Sequence, residues 1–118
     1  MIISETIDKP IPSKSNSYRI GNKRLYKSQT LVEFEEYFTS VTSYSSLKIN
    51  EPFSLKVDVY MKNKRQDIDN TLKILLDCLE KNEVITNDNL CYHIDITKHI
   101  EKEKPRVEYT LETIKNDL

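Results

Sequence analysis

Between Phe53 and Met61 the chain alternates without a break: Phe53, Leu55, Val57, Val59 and Met61 are apolar, and Ser54, Lys56, Asp58 and Tyr60 between them are polar or amphipathic. A period of two predicts a strand with one face in a core and one toward water. Residues 2 to 7, "IISETI", predict a first strand that Pro10 and Pro12 bring to a stop, because proline cannot donate to a ladder. Leu31, Phe34, Phe38 and Val41 recur at spacings of three and four, which predicts a first helix over about 30 to 43, with Thr30 and Glu33 as a capping box and an acidic opposite face. Ile68, Leu72, Leu75, Leu76 and Leu79 share one stripe of a second helix over about 68 to 82, so that stripe is expected in the core. "LCYHIDITKHI" and "RVEYTLET" alternate again on either side of the charged turn "EKEKP", and this pattern predicts two strands paired as an antiparallel hairpin. The order is β-α-β-α-β-β, an α+β fold with a four-stranded mixed sheet and both helices packed on one of its faces.

The stretch left over, "PSKSNSYRIGNKRLYKSQ", holds the one glycine of the chain and keeps neither period for long. It is expected to be a loop, and loops of that length tend to carry function. With 118 residues the chain is expected to form a single domain over 1–118 with one core. No apolar run approaches the roughly 20 residues that span a bilayer, and "MIISETIDKP" offers neither a basic leader nor a small-residue cleavage site, so the expected compartment is the cytoplasm. Cys78 and Cys91 have no CxxC spacing and read as reduced, mostly buried thiols; Cys91 with His93 and His99 lacks a recognised zinc spacing.

A net charge of −1 argues against a nucleic-acid partner until the charges are placed along the chain. From Lys9 to Lys27 there are six cations and no acid, and Lys62, Lys64 and Arg65 form a second basic cluster. Either cluster alone is accounted for by an unevenly charged solvated surface. The second, however, stands directly before "DIDN". Asp67 suits an N-cap, Asp69 suits the first turn of a helix, and Asp69 with Lys73 forms an i,i+4 pair. Capping explains those acids but not the adjacent cations, which oppose the helix dipole. A divalent cation explains both: Asp67 and Asp69 would share a hard ion, and Lys62, Lys64 and Arg65 would hold nucleic-acid phosphates beside it. Asp88, in "TNDN", is a candidate third ligand if "VITNDN" carries it back to the start of the helix; otherwise it belongs to an ordinary Asx turn.

The segment "KRQDIDNTLKILLDCLEKNEVITND" resembles the signature of the RusA family of Holliday junction resolvases: a basic run, D-x-D-N, a lysine four residues after the second aspartate, another aspartate four further on, and an aspartate beyond the helix. "PIPSKSNSYRI" resembles the family's N-terminal Pro-Pro-Ser-Asn-aromatic-basic segment, and "KRLYKS" resembles the stretch that comes after it. The resemblance implies metal-binding carboxylates at Asp67, Asp69 and Asp88 and a catalytic lysine at Lys73, with Asn70 and Asp77 in supporting or structural roles. It also implies Mg²⁺, with Mn²⁺ able to substitute, and a homodimer that nicks four-way DNA symmetrically. Water activation and leaving-group stabilisation would then come from the ion, and Lys73 would offset charge on the phosphorane unless it merely pairs with Asp69 or Asp77. DNA contacts are expected from Lys14, Asn16, Tyr18, Arg19, Lys23 and Arg24 as well as from Lys62, Lys64 and Arg65. Tyr18 either stacks on an unpaired base or packs in the core. The family tends to be basic and this chain is not, which implies a weaker or more salt-sensitive hold on DNA. Two other readings remain: a branched-DNA-binding protein of the same fold that does not cut, and a protein-interaction module whose acids only cap a helix.

Overall fold

The structure is a computed structural model. It describes residues 1–12, 18–21, 24–65 and 67–114, and at 18–21 and 24–26 the backbone alone. Among the described residues the elements succeed one another as β1 (Ile2–Ile7), β2 (Tyr18–Gly21), β3 (Arg24–Lys27), α1 (Gln29–Val41), β4 (Phe53–Met61), α2 (Ile68–Lys81), β5 (Cys91–Ile100) and β6 (Arg106–Thr113), with a 3₁₀ turn at Asp88–Leu90 before β5.

The four long strands form a mixed sheet in the order β1-β6-β4-β5, and β2 and β3 make a separate antiparallel pair. Strand β4 is central. It runs parallel to β5, with Phe53 opposite Cys91 and Met61 opposite Ile100, and antiparallel to β6, with Leu55 opposite Leu111 and Val59 opposite Val107. Its alternation does what a period of two requires: Phe53, Leu55, Val57, Val59 and Met61 are all buried, while Lys56 on the other face is exposed. Val107, Tyr109 and Leu111 of β6 and Ile3 and Ile7 of β1 extend the same buried face. Leu31, Phe34 and Phe38 of α1 and Ile74, Leu75 and Leu79 of α2 close over it, giving the expected sheet with both helices on one side.

Several expectations need correction. β5 and β6 are not a hairpin, because β4 lies between them. The "EKEKP" turn instead passes the end of β4, where the Glu101 amide donates to the Met61 carbonyl at 2.7 Å. The gap is two inter-strand spacings, about 10 Å, well within the reach of the turn. Helix α1 is capped by Ser28, whose Oγ accepts from the Leu31 amide at 3.2 Å, so Thr30 is inside the helix and not its cap. The acids of α1 do not all face water, since Glu35 is buried, whereas Val41 of its expected apolar stripe is exposed. In α2 the fully buried line is Thr71, Ile74, Leu75, Cys78 and Leu79, and Ile68, Leu72 and Leu76 form a partly buried margin against it. Thr71 can sit inside because its hydroxyl donates to the Asp67 carbonyl at 3.2 Å, leaving no unpaired polar atom. The expected long loop also contains the β2–β3 pair, in which Tyr18 faces Lys27 and Gly21 faces Arg24.

One carboxylate ties the end of α1 to the sheet. Glu5, on the core side of β1, accepts from Tyr109 Oη at 2.6 Å, Thr42 Oγ1 at 2.7 Å and the Ser43 amide at 2.8 Å. Burial first, and then this bond to Glu5, hold the Tyr109 phenol well above its ordinary pKa. Glu5→Ala leaves the buried hydroxyl without its acceptor and is expected to cost about 2–4 kcal/mol. Tyr109→Phe removes only one of the three donors and is expected to cost about 1 kcal/mol. Urea unfolding of the two variants checks the difference, and equal losses would show that Glu5 is not the hub.

Candidate active site on the second helix

Helix α2 begins at Asp67, which has extended dihedrals (φ −85°, ψ 141°) and whose carboxylate makes no capping hydrogen bond. The capping account of this residue therefore does not hold. Asp67 and Asp69 are both exposed, and Lys62, Lys64 and Arg65 immediately before them are exposed as well. Among the described residues Lys73 makes no ion pair within 4.0 Å, so it is not locked to Asp69 or Asp77. At about 100° per residue, Asp69, Lys73, Asp77 and Glu80 form a stripe on the side of α2 away from the core.

Asp88 lies where this stripe ends. Asn87 makes the Asx turn that starts the 3₁₀ segment, its Oδ1 accepting from the Asn89 amide at 2.9 Å, and the turn sets Asp88 against the C-terminal half of α2. There the ligand oxygens of Asp77, Glu80 and Asp88 all lie within 4.8 Å of one another, and among the described residues they are the group of three acids so arranged. The expected return of Asp88 to the start of the helix does not occur within the chain. Its neighbour Asp77 is two turns beyond Asp69, about 12 Å along the axis. The structure thus brings Asp88 together with Asp77 and Glu80, and leaves Asp67 and Asp69 at the other end beside the basic cluster. Three carboxylates this close suit a hard divalent cation, which takes oxygen ligands and offsets their repulsion.

The electrostatics of Asp77 agree with that placement. Partial burial raises its pKa above the ordinary carboxylate value, Lys73 acts against this, and the Asp88 carboxylate adds to it. Lys27 and Glu35 are also close enough to act on Asp77. They form a salt bridge in which the Lys27 Nζ donates to both Glu35 oxygens, at 3.1 and 2.9 Å. Lys27 is the last residue of β3, so this bond fastens the basic β2–β3 pair to α1 next to the acidic stripe. Cys78, on the opposite side of α2, is buried and its thiol is pushed up to about 12, chiefly by desolvation; both cysteines are free.

Some expected site residues lie outside what the structure describes. Lys14, Asn16 and Lys23 fall in segments without a described position, and Tyr18, Arg19 and Arg24 have a described backbone only. Sequence reasoning missed Glu80 and the Lys27–Glu35 pair. Both had a signal: Glu80 is three residues after Asp77 on the same helical face, and Glu35 is four after Leu31 on the buried one.

A parallel β-α-β unit with acids at both ends of its crossover helix, on a four-stranded mixed sheet with helices on one face, defines a small α+β domain with its carboxylates gathered along one exposed helix face. Comparison with known proteins makes this specific. The family model of RusA, endodeoxyribonuclease RusA, matches residues 8–112, and the crossover junction endodeoxyribonuclease RusA of Aquifex aeolicus (strain VF5) is 31% identical over 101 residues, covering 83% of this chain and 80% of the relative. The chain belongs to the RusA family of endodeoxyribonucleases.

The Lys27–Glu35 bond generates a prediction. Lys27→Met strands a buried carboxylate and is expected to lower stability by about 1–3 kcal/mol while raising amide exchange in 18–27. Lys27→Met with Glu35→Leu removes both charges and is expected to restore stability but not protection of the strand pair. Hydrogen exchange read by mass spectrometry checks this, and unchanged exchange in both variants would show that the pair does not anchor β2 and β3.

Proposed function

We propose that the protein resolves four-way DNA junctions by paired, symmetric nicks, as a Mg²⁺-dependent homodimer with Asp67, Asp69 and Asp88 as metal ligands and Lys73 beside the scissile phosphate. Family membership supports the nuclease assignment, and the junction substrate is the one named for the Aquifex relative. The single observation that carries the metal is the gathering of Asp77, Glu80 and Asp88 carboxylates at the end of a stripe that begins with Asp69. A bound Mg²⁺ or Mn²⁺ supplies water activation and charge stabilisation in phosphodiester hydrolysis. Lys73, held by no salt bridge among the described residues, would be available to the phosphoryl oxygens. Lys62, Lys64 and Arg65, with Lys14, Asn16, Tyr18, Arg19, Lys23 and Arg24 in and around the β2–β3 pair, hold the backbone and position the strand. Asn70 and Asp77 support the helix face that carries these groups.

A homodimer suits both substrate and site. A four-way junction is two-fold symmetric, so two sites related by a two-fold axis address opposed strands. Two copies of α2 set antiparallel about such an axis also bring the Asp67–Asp69 mouth of one toward the Asp88 end of the other, closing a ligand set that one chain holds in two parts. A second reading, favoured by the distances within one chain, keeps the ion on Asp77, Glu80 and Asp88 alone.

Nicking of a synthetic four-way junction in Mg²⁺ tests the assignment, and binding without product would leave a junction-binding protein of this fold. Asp69→Asn is expected to keep junction binding and lose cleavage by at least about a hundredfold. Mixing Asp69→Asn with Asp88→Asn is expected to regain one nick per junction if the ligands are shared between copies, since one site of the mixed dimer is then intact. No recovery, together with loss of activity in Glu80→Gln, would place the ion within one chain. Removing Lys23 and Arg24 together is expected to weaken binding and to lower the slope of log affinity against log salt by roughly two; an unchanged slope would show that these cations do not touch phosphate.

A further inference from the structure

Strand β5 is an edge strand with β4 on one side, and among the described residues no strand pairs with the other. It is ten residues long, carries no proline, and its ladder with β4 shifts register only between Phe53 and Ser54, at one end. Proteins usually blunt such an edge by shortening, bulging or covering it. β5 is neither short nor bulged along most of its length, and its protection is one inward-row charge, Lys98, which stands opposite buried Val59 and donates to the Lys64 carbonyl at 3.0 Å. The face it shares with the core is also incompletely covered. Ile94 and Ile100 stand opposite Leu55 and Met61, which are buried, yet are themselves 40% and 50% exposed, and Tyr92 is 62% exposed.

We infer that this edge is the surface on which a second copy of the chain docks, β5 against β5 in antiparallel register about a two-fold axis at Thr97. This rests on the homodimer in the proposed function and names its interface. A two-fold axis normal to the sheet sets residues of like face opposite each other, so it must pass between one residue and the same residue of the second copy. Centring on Asp95 opposes two like charges. Centring on Ile96 sets Lys98 against Ile94 and His93 against His99. Centring on Thr97 sets Asp95 against His99, His93 against Glu101, Ile94 against Ile100 and Ile96 against Lys98, so each carboxylate meets an imidazole, the exposed isoleucines cover each other, and the Lys98 ammonium keeps its bond to the Lys64 carbonyl at 3.0 Å. His99 already bonds Asp58 through Nε2 at 2.8 Å and stacks on Tyr60, which leaves its other ring nitrogen for Asp95 of the second copy. The pairing would satisfy the open backbone of both edges and continue one sheet across two chains.

Light scattering on the full chain after size exclusion, at micromolar concentration and without DNA, tests the surface. A dimer is expected, and Ile94→Lys is expected to weaken it by about tenfold or more. Ile94 is exposed, so this variant should keep the circular dichroism and melting temperature of the parent. For the register, Thr97→Cys in a Cys91→Ser background is expected to give a reducible covalent dimer under mild oxidation, and Ser54→Cys in the same background is not. A monomeric parent, an undiminished Ile94→Lys dimer, or cross-linking at 54 but not at 97 would each overturn the inference. The oligomer readouts involve no catalysis. A β5 dimer that fails to nick a junction removes the nuclease reading and leaves the interface, whereas nicking by a protein that dimerises elsewhere does the reverse.

Discussion

The parallel pairing of β4 with β5 fixes the layout of the rest of the molecule. Two parallel neighbours cannot be joined by a tight turn, so the chain must travel back along the sheet before starting β5. Helix α2 makes that journey. A helix of 14 residues covers about 21 Å, roughly two thirds of the length of β4 and β5 beneath it, and the turn after it covers the rest, so residues before α2 stand at one end of the sheet and residues after it stand at the other. Asp67 comes just after β4 and Asp88 just before β5. Their separation within one chain is therefore a property of the topology and not of side-chain choice, and the stripe of Asp69, Lys73, Asp77 and Glu80 runs along the outer side of the helix between them.

That constraint also governs the edges. A crossover strand added beside β4 has no hairpin partner on its far side, and β6 returns to the opposite flank of β4, where it pairs with β1 over residues Val107–Glu112. The core then lies beneath β4 and β6, whose alternating residues are nearly all buried, and thins toward β5, whose apolar residues stay partly in water. The edge of β5 that no described strand pairs with and the separation of Asp67 from Asp88 are two consequences of one connection, and the two-fold partner proposed above would relieve both.

Much of this was legible in the sequence, for identifiable reasons. β1, β4 and α2 begin where the pattern placed them, and their ends fall on or within a residue of it, because each pairs a clean period with a strong boundary: proline after β1, proline before β4, and Asp67 before α2. The family signature was legible for the same reason, since "DIDN", Lys73 and Asp77 have fixed offsets on a helix. What failed was what local pattern does not encode. Alternation in "LCYHIDITKHI" and "RVEYTLET" gives two strands but does not say that β4 will come between them. The β2–β3 pair escaped because four-residue strands carry too few alternations to stand out from a basic, serine-rich stretch. Thr30 and Ser28 both satisfy the chemistry of an N-cap, and the choice fell to Ser28, which is buried next to the half-exposed Lys27–Glu35 contact.

The distribution of charge arises from the same placement. A chain with net charge −1 can hold a polyanion only if its acids are engaged locally. Glu5 is occupied with Tyr109, Thr42 and Ser43, Glu35 with Lys27, Asp58 with His99 and Glu108 with Arg106. Those contacts lie in or beside the sheet and first helix. The acids along α2 have no such partners among the described salt bridges; Lys73 lies within their stripe, and Lys62, Lys64 and Arg65, which precede its Asp67–Asp69 end, are exposed. Neutralising the α2 acids with a divalent ion therefore changes the field at the place where the basic residues are free to act, and leaves the structural pairs untouched. In the proposed function, metal binding and DNA binding would be coupled by this arrangement: without the ion, a phosphate brought to the basic cluster would meet the repulsion of the carboxylates beside it.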